Sequence, residues 1–463
     1  MMDLKDIEEV YFIGIGGIGM SSIARYFTTI GVKVSGYDKT PSALTATLEE
    51  EGISIHFGEA AMDKIPPASP GLLIVFTPAV PSDFAERIHV DNGDYVVLKR
   101  AQVLGIISRA TNCVAIAGTH GKTTTTTMTA HLMTVAGLEP KAFLGGISRN
   151  FNSNYVHGTS DWVVVEADEY DRSFLQLDPT IAVILSADPD HLDIYGDHAT
   201  MLEEGFRAFA KRIIPGGQLL VRHEIAHLFS DLGDVLLSSF GIGAGDFCAQ
   251  NIHVRDGCFY FDLHEPDGHM VIDLRTELPG RHNVENAVAA CAVTRLSGGS
   301  EADIRRGLAT FKGISRRFEK VFDDGKLVII DDYAHHPTEL NAAINAAREL
   351  YPGKVIRGVF QPHLFSRTQD FAGGFAEALD QLDQAILIPI YPAREKPLPG
   401  VTSQLVFNKM KADKKRLFSN GQMLEWAKKL NEGVLLLLGA GDIDALIGEI
   451  AKYHKNYPPH GSQ

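Results

Sequence analysis

Short apolar runs alternate with longer amphipathic stretches along this chain, the pattern of strands buried on both faces with helices packed over them. Val10-Tyr11-Phe12-Ile13 predicts the first strand, followed by glycines and an amphipathic segment to about Thr29. Residues 32–38 and 72–76 predict two more strands. A second series opens at 113–117 and continues at 161–165 and 181–185. Between 216 and 276 the pattern turns strand-rich, closing near Leu278-Pro279-Gly280 before an Ala-rich helix from Val284. A third series reads at 327–332, 355–360, 385–390 and 433–438, separated by helical lengths. The expectation is an α/β fold of three domains with parallel sheets: a Rossmann-like domain over 1–109, a central phosphate-loop ATPase domain over 110–318, and a second Rossmann-like domain over 319–463.

Composition narrows the classes without changing that picture. A length of 463 residues suits about three domains, and 45% hydrophobic with 22% charged residues is ordinary for a globular protein. A formal charge of −15 argues against nucleic acid and anionic membranes as partners, since both are polyanions. No run approaches the roughly 20 apolar residues a bilayer span needs, and Met1-Met2-Asp3-Leu4-Lys5-Asp6 lacks the features of a signal peptide. Cys113, Cys248, Cys258 and Cys291 are scattered, without metal spacing or a disulfide framework. A cytosolic location is expected, and a monomer and a homodimer both stay open.

Chemistry enters where the second series begins. Gly118-Thr119-His120-Gly121-Lys122-Thr123-Thr124 follows a strand and opens a helix, a shortened variant of the phosphate-loop pattern. Its glycines admit backbone amides to phosphate oxygens, Lys122 can reach the terminal phosphates, and the Thr123 hydroxyl can ligate Mg²⁺. Glu166-Ala167-Asp168-Glu169 and Asp188-Pro189-Asp190-His191-Leu192-Asp193 then end two successive strands. Oxygen ligands suit Mg²⁺ and an imidazole can complete a position, so Glu166 and His191 join Thr123 as the candidate metal set. For any single acid there, a helix cap or solvated charge is an equal reading.

The N-terminal loop Gly14-Ile15-Gly16-Gly17-Ile18-Gly19, with Asp38 about twenty residues on, suits a diphosphate on backbone amides and a ribose hydroxyl on a carboxylate. A dinucleotide and a UDP-sugar both satisfy that description. Thr77 and Arg100 are further candidates for contact with the same ligand.

Together, Gly-Thr-His-Gly-Lys-Thr-Thr, Glu-Ala-Asp-Glu and Asp-His-Leu-Asp resemble the Mur ligases, and the likeness covers essentially the whole chain in that family's order of UDP-binding, ATPase and amino-acid domains. The resemblance implies ATP and Mg²⁺, with Mn²⁺ able to substitute, and UDP-N-acetylmuramate and L-alanine as partners. ATP would phosphorylate the lactyl carboxylate, and an amine would then displace phosphate from the acyl phosphate. Residues Gly118 to Thr124, Asn283, Asn286, Arg317 and Asp332 would hold ATP, while Gly14, Gly16, Gly17, Ile18, Gly19, Asp38, Thr77 and Arg100 would hold the UDP-sugar. Lys122, His191 and His335 would be catalytic, and His335 and Arg367 would receive the amino acid. Asn152 and Asn154 fall where the family contacts the muramyl portion. Asn283 suits a helix cap as well as an adenine edge, and a surface ion pair is the bland reading of Arg317. Leu364 stands where many relatives carry a basic residue, and Arg394 where glycine is common, so Arg394 is a candidate replacement for that cation.

Four alternatives stand beside this. A ligase that recycles a preformed tripeptide onto the same sugar usually has a bulky aromatic before Asp-His, where this chain has Pro189. Folylpolyglutamate-type ligases lack a matching first domain. An NAD-linked oxidoreductase fused to an ATPase module fits the glycine loop, and a nucleotide sensor without turnover fits poorly with retained Lys122, Thr123, Glu166 and His191.

Overall fold

The computed structural model describes residues 4–189, 192–233, 235–393 and 395–456. Tyr11, Phe12 and Ile13 are buried on both faces of β1 (Glu9–Ile13), which makes it a central strand. It pairs in parallel with β2 (Lys33–Asp38) and β4 (Leu72–Phe76), and β3 (Ser54–Phe57) and β5 (Val96–Lys99) close the order β3-β2-β1-β4-β5. The strand order reverses between β1 and β4, which opens a crevice at their carboxyl ends. The glycine loop leaves β1 there and enters α1 (Ile18–Thr29), whose buried Met20, Ile23, Ala24 and Phe27 recur at helical spacing.

The second sheet comprises β6 (Asn112–Ala117), β7 (Lys141–Ser148), β8 (Ser153–Val156), β9 (Trp162–Glu166), β10 (Ile181–Ile184), β11 (Gln218–Arg222), β12 (Leu236–Ile242), β13 (Phe247–Arg255), β14 (Cys258–His264) and β15 (Met270–Thr276). Its order is β15-β14-β13-β12-β11-β10-β6-β9-β7-β8, with β6 in parallel register to both β9 and β10. The third sheet holds β16 (Glu319–Asp323), β17 (Leu327–Asp332), β18 (Ile356–Phe360), β19 (Gln384–Leu387), β20 (Lys415–Leu417) and β21 (Gly433–Leu438) in the order β16-β17-β21-β18-β19-β20. Only β16 there runs antiparallel to its neighbour. The expected parallel α/β architecture is therefore present. Among the described residues no helix is long and apolar enough to cross a membrane.

By compactness the chain divides in two, with Met1–Gln250, Asp262–Leu274 and Glu285–Lys312 in one unit and Asn251–Phe261, Arg275–Val284 and Gly313–Gln463 in the other. Within the first unit one hydrophobic core runs from β1 and α1 into β6, β7 and β9. Tyr26 of α1 lies 5.6 Å from the Phe143 ring and 6.3 Å from the Tyr155 ring. Beside this aromatic seam, buried Arg25 grips the Glu51 carboxylate at 2.8 Å and donates to the Asn154 side-chain oxygen. The Asn154 amide nitrogen donates to the Ile18 carbonyl at 2.6 Å and to the Ser21 hydroxyl at 2.8 Å. Asn154 is fully buried and both ends of its amide serve the seam.

An Asn154→Ala variant leaves the buried Arg25 and Ser21 each short of a partner. Its unfolding free energy should fall by about 1–3 kcal/mol, measured as a lower urea midpoint; an unchanged midpoint would mean the seam contributes nothing to cooperative folding.

Candidate functional site

In the first unit the glycine loop is shaped by the residues the sequence singles out. Gly14 has φ +90°, and a side chain there would meet the Thr77 methyl at 2.9 Å. The Gly16 amide donates to Asp38 Oδ2 at 2.7 Å, so this carboxylate already braces the loop backbone. A side chain at Gly19 would strike the Arg100 guanidinium at 2.6 Å. Gly17 caps α1 in extended backbone, and the Ile18 side chain is exposed beside it. Gly14, Gly16, Gly17, Ile18, Gly19, Asp38, Thr77 and Arg100 thus stand around one crevice.

Arg100 also faces the second sheet. Its guanidinium lies 3.6 Å from Asp168 Oδ2, and Arg100, Glu166 and Asp168 line one small cleft. Glu166 ends β9 level with Ile116 of β6, and Gly145 backs it so closely that a side chain there would sit 2.7 Å from the Glu166 carboxyl carbon.

The phosphate loop follows β6. Gly118 and Gly121 take φ +141° and +81°, and the helix Lys122–Val135 starts at Lys122. Ser186, two residues past the end of β10, cross-links the loop: its hydroxyl lies 2.9 Å from the Thr119 hydroxyl and accepts from the His120 amide at 2.9 Å. His120 Nε2 is 3.6 Å from the Asp188 carboxylate. Thr123 and Thr124 are buried at the helix start, and a side chain at Gly121 would meet the Asn286 oxygen at 2.7 Å. Lys122 donates to the Gly118 carbonyl at 2.7 Å and to both Glu169 oxygens at 2.8 Å. Burial works against its charge, but Glu169, Asp168 and Glu166 outweigh it and hold the ammonium above the ordinary lysine range. His191, the third candidate metal ligand, lies outside the described residues, as does Arg394.

The second unit gathers a separate set. Asn283 is buried, and its amide donates to the Pro279 carbonyl at 2.7 Å at the start of the helix Arg281–Leu296. Asp332 ends β17; its Oδ2 accepts from the Phe318 amide and its Oδ1 from the Ala334 amide, both at 2.8 Å. Burial pushes Asp332 up to about 6 although Arg317 opposes it, and pushes neighbouring Asp331 up to about 7 against the pull of Arg316. Arg317 sits between Arg316 (φ +64°) and Phe318 (φ +48°) and lies 5.0 Å from the Tyr333 ring. His335 Nδ1 is 2.9 Å from the Tyr333 carbonyl, so this nitrogen carries the proton and Nε2 keeps its lone pair. Burial lowers the His335 pKa; Glu339 opposes the shift, and Arg367 adds to it.

Arg367 stands in the first turn of the helix Phe365–Leu379. The N-terminus of that helix is occupied by Glu395, which accepts from the Phe365 amide at 2.6 Å and the Ser366 amide at 3.0 Å. Ser186, Glu395 and the Arg316–Asp331 pair escape sequence reasoning because serine, glutamate and arginine in loops are commonplace; only their partners single them out.

Family models match three consecutive stretches: the Mur ligase family catalytic domain over residues 9–112, the Mur ligase middle domain over 116–294, and the Mur ligase glutamate ligase domain over 316–448. The UDP-N-acetylmuramate–L-alanine ligase of Porphyromonas gingivalis is 49% identical over 456 residues, covering 96% of this chain and 99% of that protein. The enzyme of the same name from Flavobacterium psychrophilum is 46% identical, covering 97% and 99%. The crystal structure of the UDP-N-acetylmuramate–alanine ligase of Thermotoga maritima superimposes with a TM-score of 0.81 at 28% identity, covering 97% of this chain and 99% of that one.

The raised carboxyl at Asp331 gives stability a sign. Its folded value lies above the unfolded one near 3.9, so its contribution is complete below about pH 4 and is lost as pH rises through about 7. Asp331→Asn removes that loss. The difference in melting temperature between variant and wild type should therefore move in the variant's favour from pH 5 to pH 8; a pH-independent difference would contradict the assignment.

Proposed function

The chain belongs to the Mur ligase family, and from that premise we propose that it joins L-alanine to UDP-N-acetylmuramate, with ATP activating the lactyl carboxylate as an acyl phosphate. The observation that carries this reading is the continuous strip from Gly19 through Arg100 to Asp168, Glu166 and Lys122. A ligand seated by its diphosphate on the glycine loop would extend along Arg100 toward the phosphate loop, which is the geometry acyl phosphorylation needs. Likeness to full-length ligases of that name supports the choice of amine and sugar. We take the divisions 1–109, 110–318 and 319–463 as the UDP-sugar, ATPase and amino-acid domains; the three consecutive family matches support this partition.

In this reading the phosphate-loop amides and Lys122 stabilise charge on the transferred phosphoryl group. Gly118, Thr119, His120, Gly121, Thr123 and Thr124 cradle the phosphates with Asn286 beside them, while Asn283, Arg317 and Asp332 are proposed for the remainder of ATP. Thr123 at the start of its helix and Glu166 at the end of β9 offer oxygen donors, a donor set that fits Mg²⁺ or Mn²⁺, with His191 proposed as the third ligand. Such an ion, when bound, neutralises phosphate charge. Arg367 would receive the alanine carboxylate, and the Nε2 lone pair of His335 would take a proton from its ammonium as the amine attacks the acyl phosphate carbon and phosphate departs.

Purified protein given ATP, Mg²⁺, UDP-N-acetylmuramate and L-alanine should release phosphate only when both co-substrates are present, and Lys122→Ala should lower the rate at least roughly hundredfold. Release independent of either co-substrate would sink the ligase reading. The neutral form of His335 is the active base and its pKa is depressed, so the acid limb of kcat/KM should fall below the ordinary histidine value of about 6.5. His335→Asn should remove that limb and cost roughly 10²-fold or more; an acid limb that survives the substitution assigns the base elsewhere.

A further inference from the structure

We propose that Glu169 is an internal stand-in for phosphate: it holds Lys122 while no nucleotide is bound, yields it to the incoming triphosphate, and takes it back as ADP leaves. The proposal rests on the reading of residues 118–124 as the ATP loop.

An ammonium has three hydrogens. In Lys122 one points to the Gly118 carbonyl at 2.7 Å, and the two Glu169 oxygens, both 2.8 Å from Nζ, share another. The lysine is thus folded back onto its own loop and an internal carboxylate, and a phosphate that draws the ammonium toward itself competes with that carboxylate. The carbonyl belongs to the phosphate loop itself, and the carboxylate is an anion of the kind the loop is built to receive. The Lys122 and Glu169 side chains are only 14% and 1% exposed, so water barely screens the pair and the competition between carboxylate and phosphate is strong.

Glu169 is anchored through its backbone. Its carbonyl accepts from the Tyr195 hydroxyl at 2.7 Å and from the Arg172 amide at 3.1 Å. The turn that follows holds Asp171 and Arg172 in left-handed backbone at φ +53° and +54°. The four-carbon lysine stem can then swing between two anions while the Glu169 backbone keeps its place. During turnover the same contact favours product loss, because Glu169 competes for Lys122 as soon as the β-phosphate of ADP loosens.

A stand-in and a fixed partner predict opposite signs. Dissociation constants for ATP, ADP and AMP are measured on the full-length wild type, Glu169→Gln and Glu169→Asp, with ADP dissociation followed by stopped flow. Glu169→Gln keeps the shape but removes the charge and one acceptor. It should bind ATP and ADP roughly tenfold tighter and release ADP more slowly by a similar factor, while AMP, which has no phosphate within reach of Lys122, is unaffected. Glu169→Asp, too short to grip with both oxygens, should move the same way by less, and it carries the test alone if the glutamine variant fails to fold. Weaker or unchanged ATP and ADP binding in the variants would overturn the stand-in and make Glu169 a fixed partner. Equal shifts for all three nucleotides would overturn it in favour of a general structural role. If the wild type itself did not bind ATP, the nucleotide reading would fall, which is a different result from unaltered affinity in the variants.

Discussion

A parallel strand covered on both faces has nowhere to carry polar groups except its ends. β1, β6, β9, β10 and β17 obey this constraint, and the chemistry of the chain is arranged by it. Gly14 and Asp38 lie at the carboxyl ends of β1 and β2, Gly118, Glu166 and Ser186 at or just past those of β6, β9 and β10, and Asp332 at that of β17. Because β6 lies between β9 and β10, the acids after β9 and the serine after β10 converge on the loop after β6 without any long-range instruction beyond strand order. Charge then follows geometry: burial works against the charge of one lysine, and the three carboxylates it faces hold that charge in place.

The second unit meets a different difficulty, since it must present cations from irregular backbone. Arg317 is flanked by two residues in a conformation that non-glycine side chains resist. The neighbours supply the restraint. Arg316 donates to the Gly439 and Gly441 carbonyls at 2.8 and 3.2 Å, and Asp332 accepts from the Phe318 amide. Buried Asp331 beside Arg316 is the cost of that anchorage, visible in its raised carboxyl value.

Most of the strands that were legible are apolar runs. β3, β5, β8, β16 and β20 were not, since they are short edge strands broken or closed by polar residues, and Gly145 and Gly146 break the apolar run of β7. The glycine loop and phosphate loop were legible because positive φ and close approach demand glycine in fixed order. What sequence could not assign was direction. Glu166, Asp168 and Glu169 are equivalent on paper; in space one backs onto Gly145, one faces Arg100 and one grips Lys122. Asn154 shows the same limit: it falls where the resemblance implied contact with the muramyl portion, and its amide bonds to Arg25, Ile18 and Ser21 between α1 and β8.

The aromatic seam between α1 and the β7–β8 hairpin bears on how such a chain can be rearranged. A boundary drawn at residue 109 falls at the end of the helix Arg100–Arg109, yet Tyr26, Phe27, Phe143 and Tyr155 belong to one packed layer on both sides of it. Recombination between relatives at that point would pair an α1 shaped for one hairpin with a hairpin shaped for another. The heritable module is therefore the seam with both its flanks, and exchange of the first Rossmann-like domain between relatives would have to carry residues 141–156 with it.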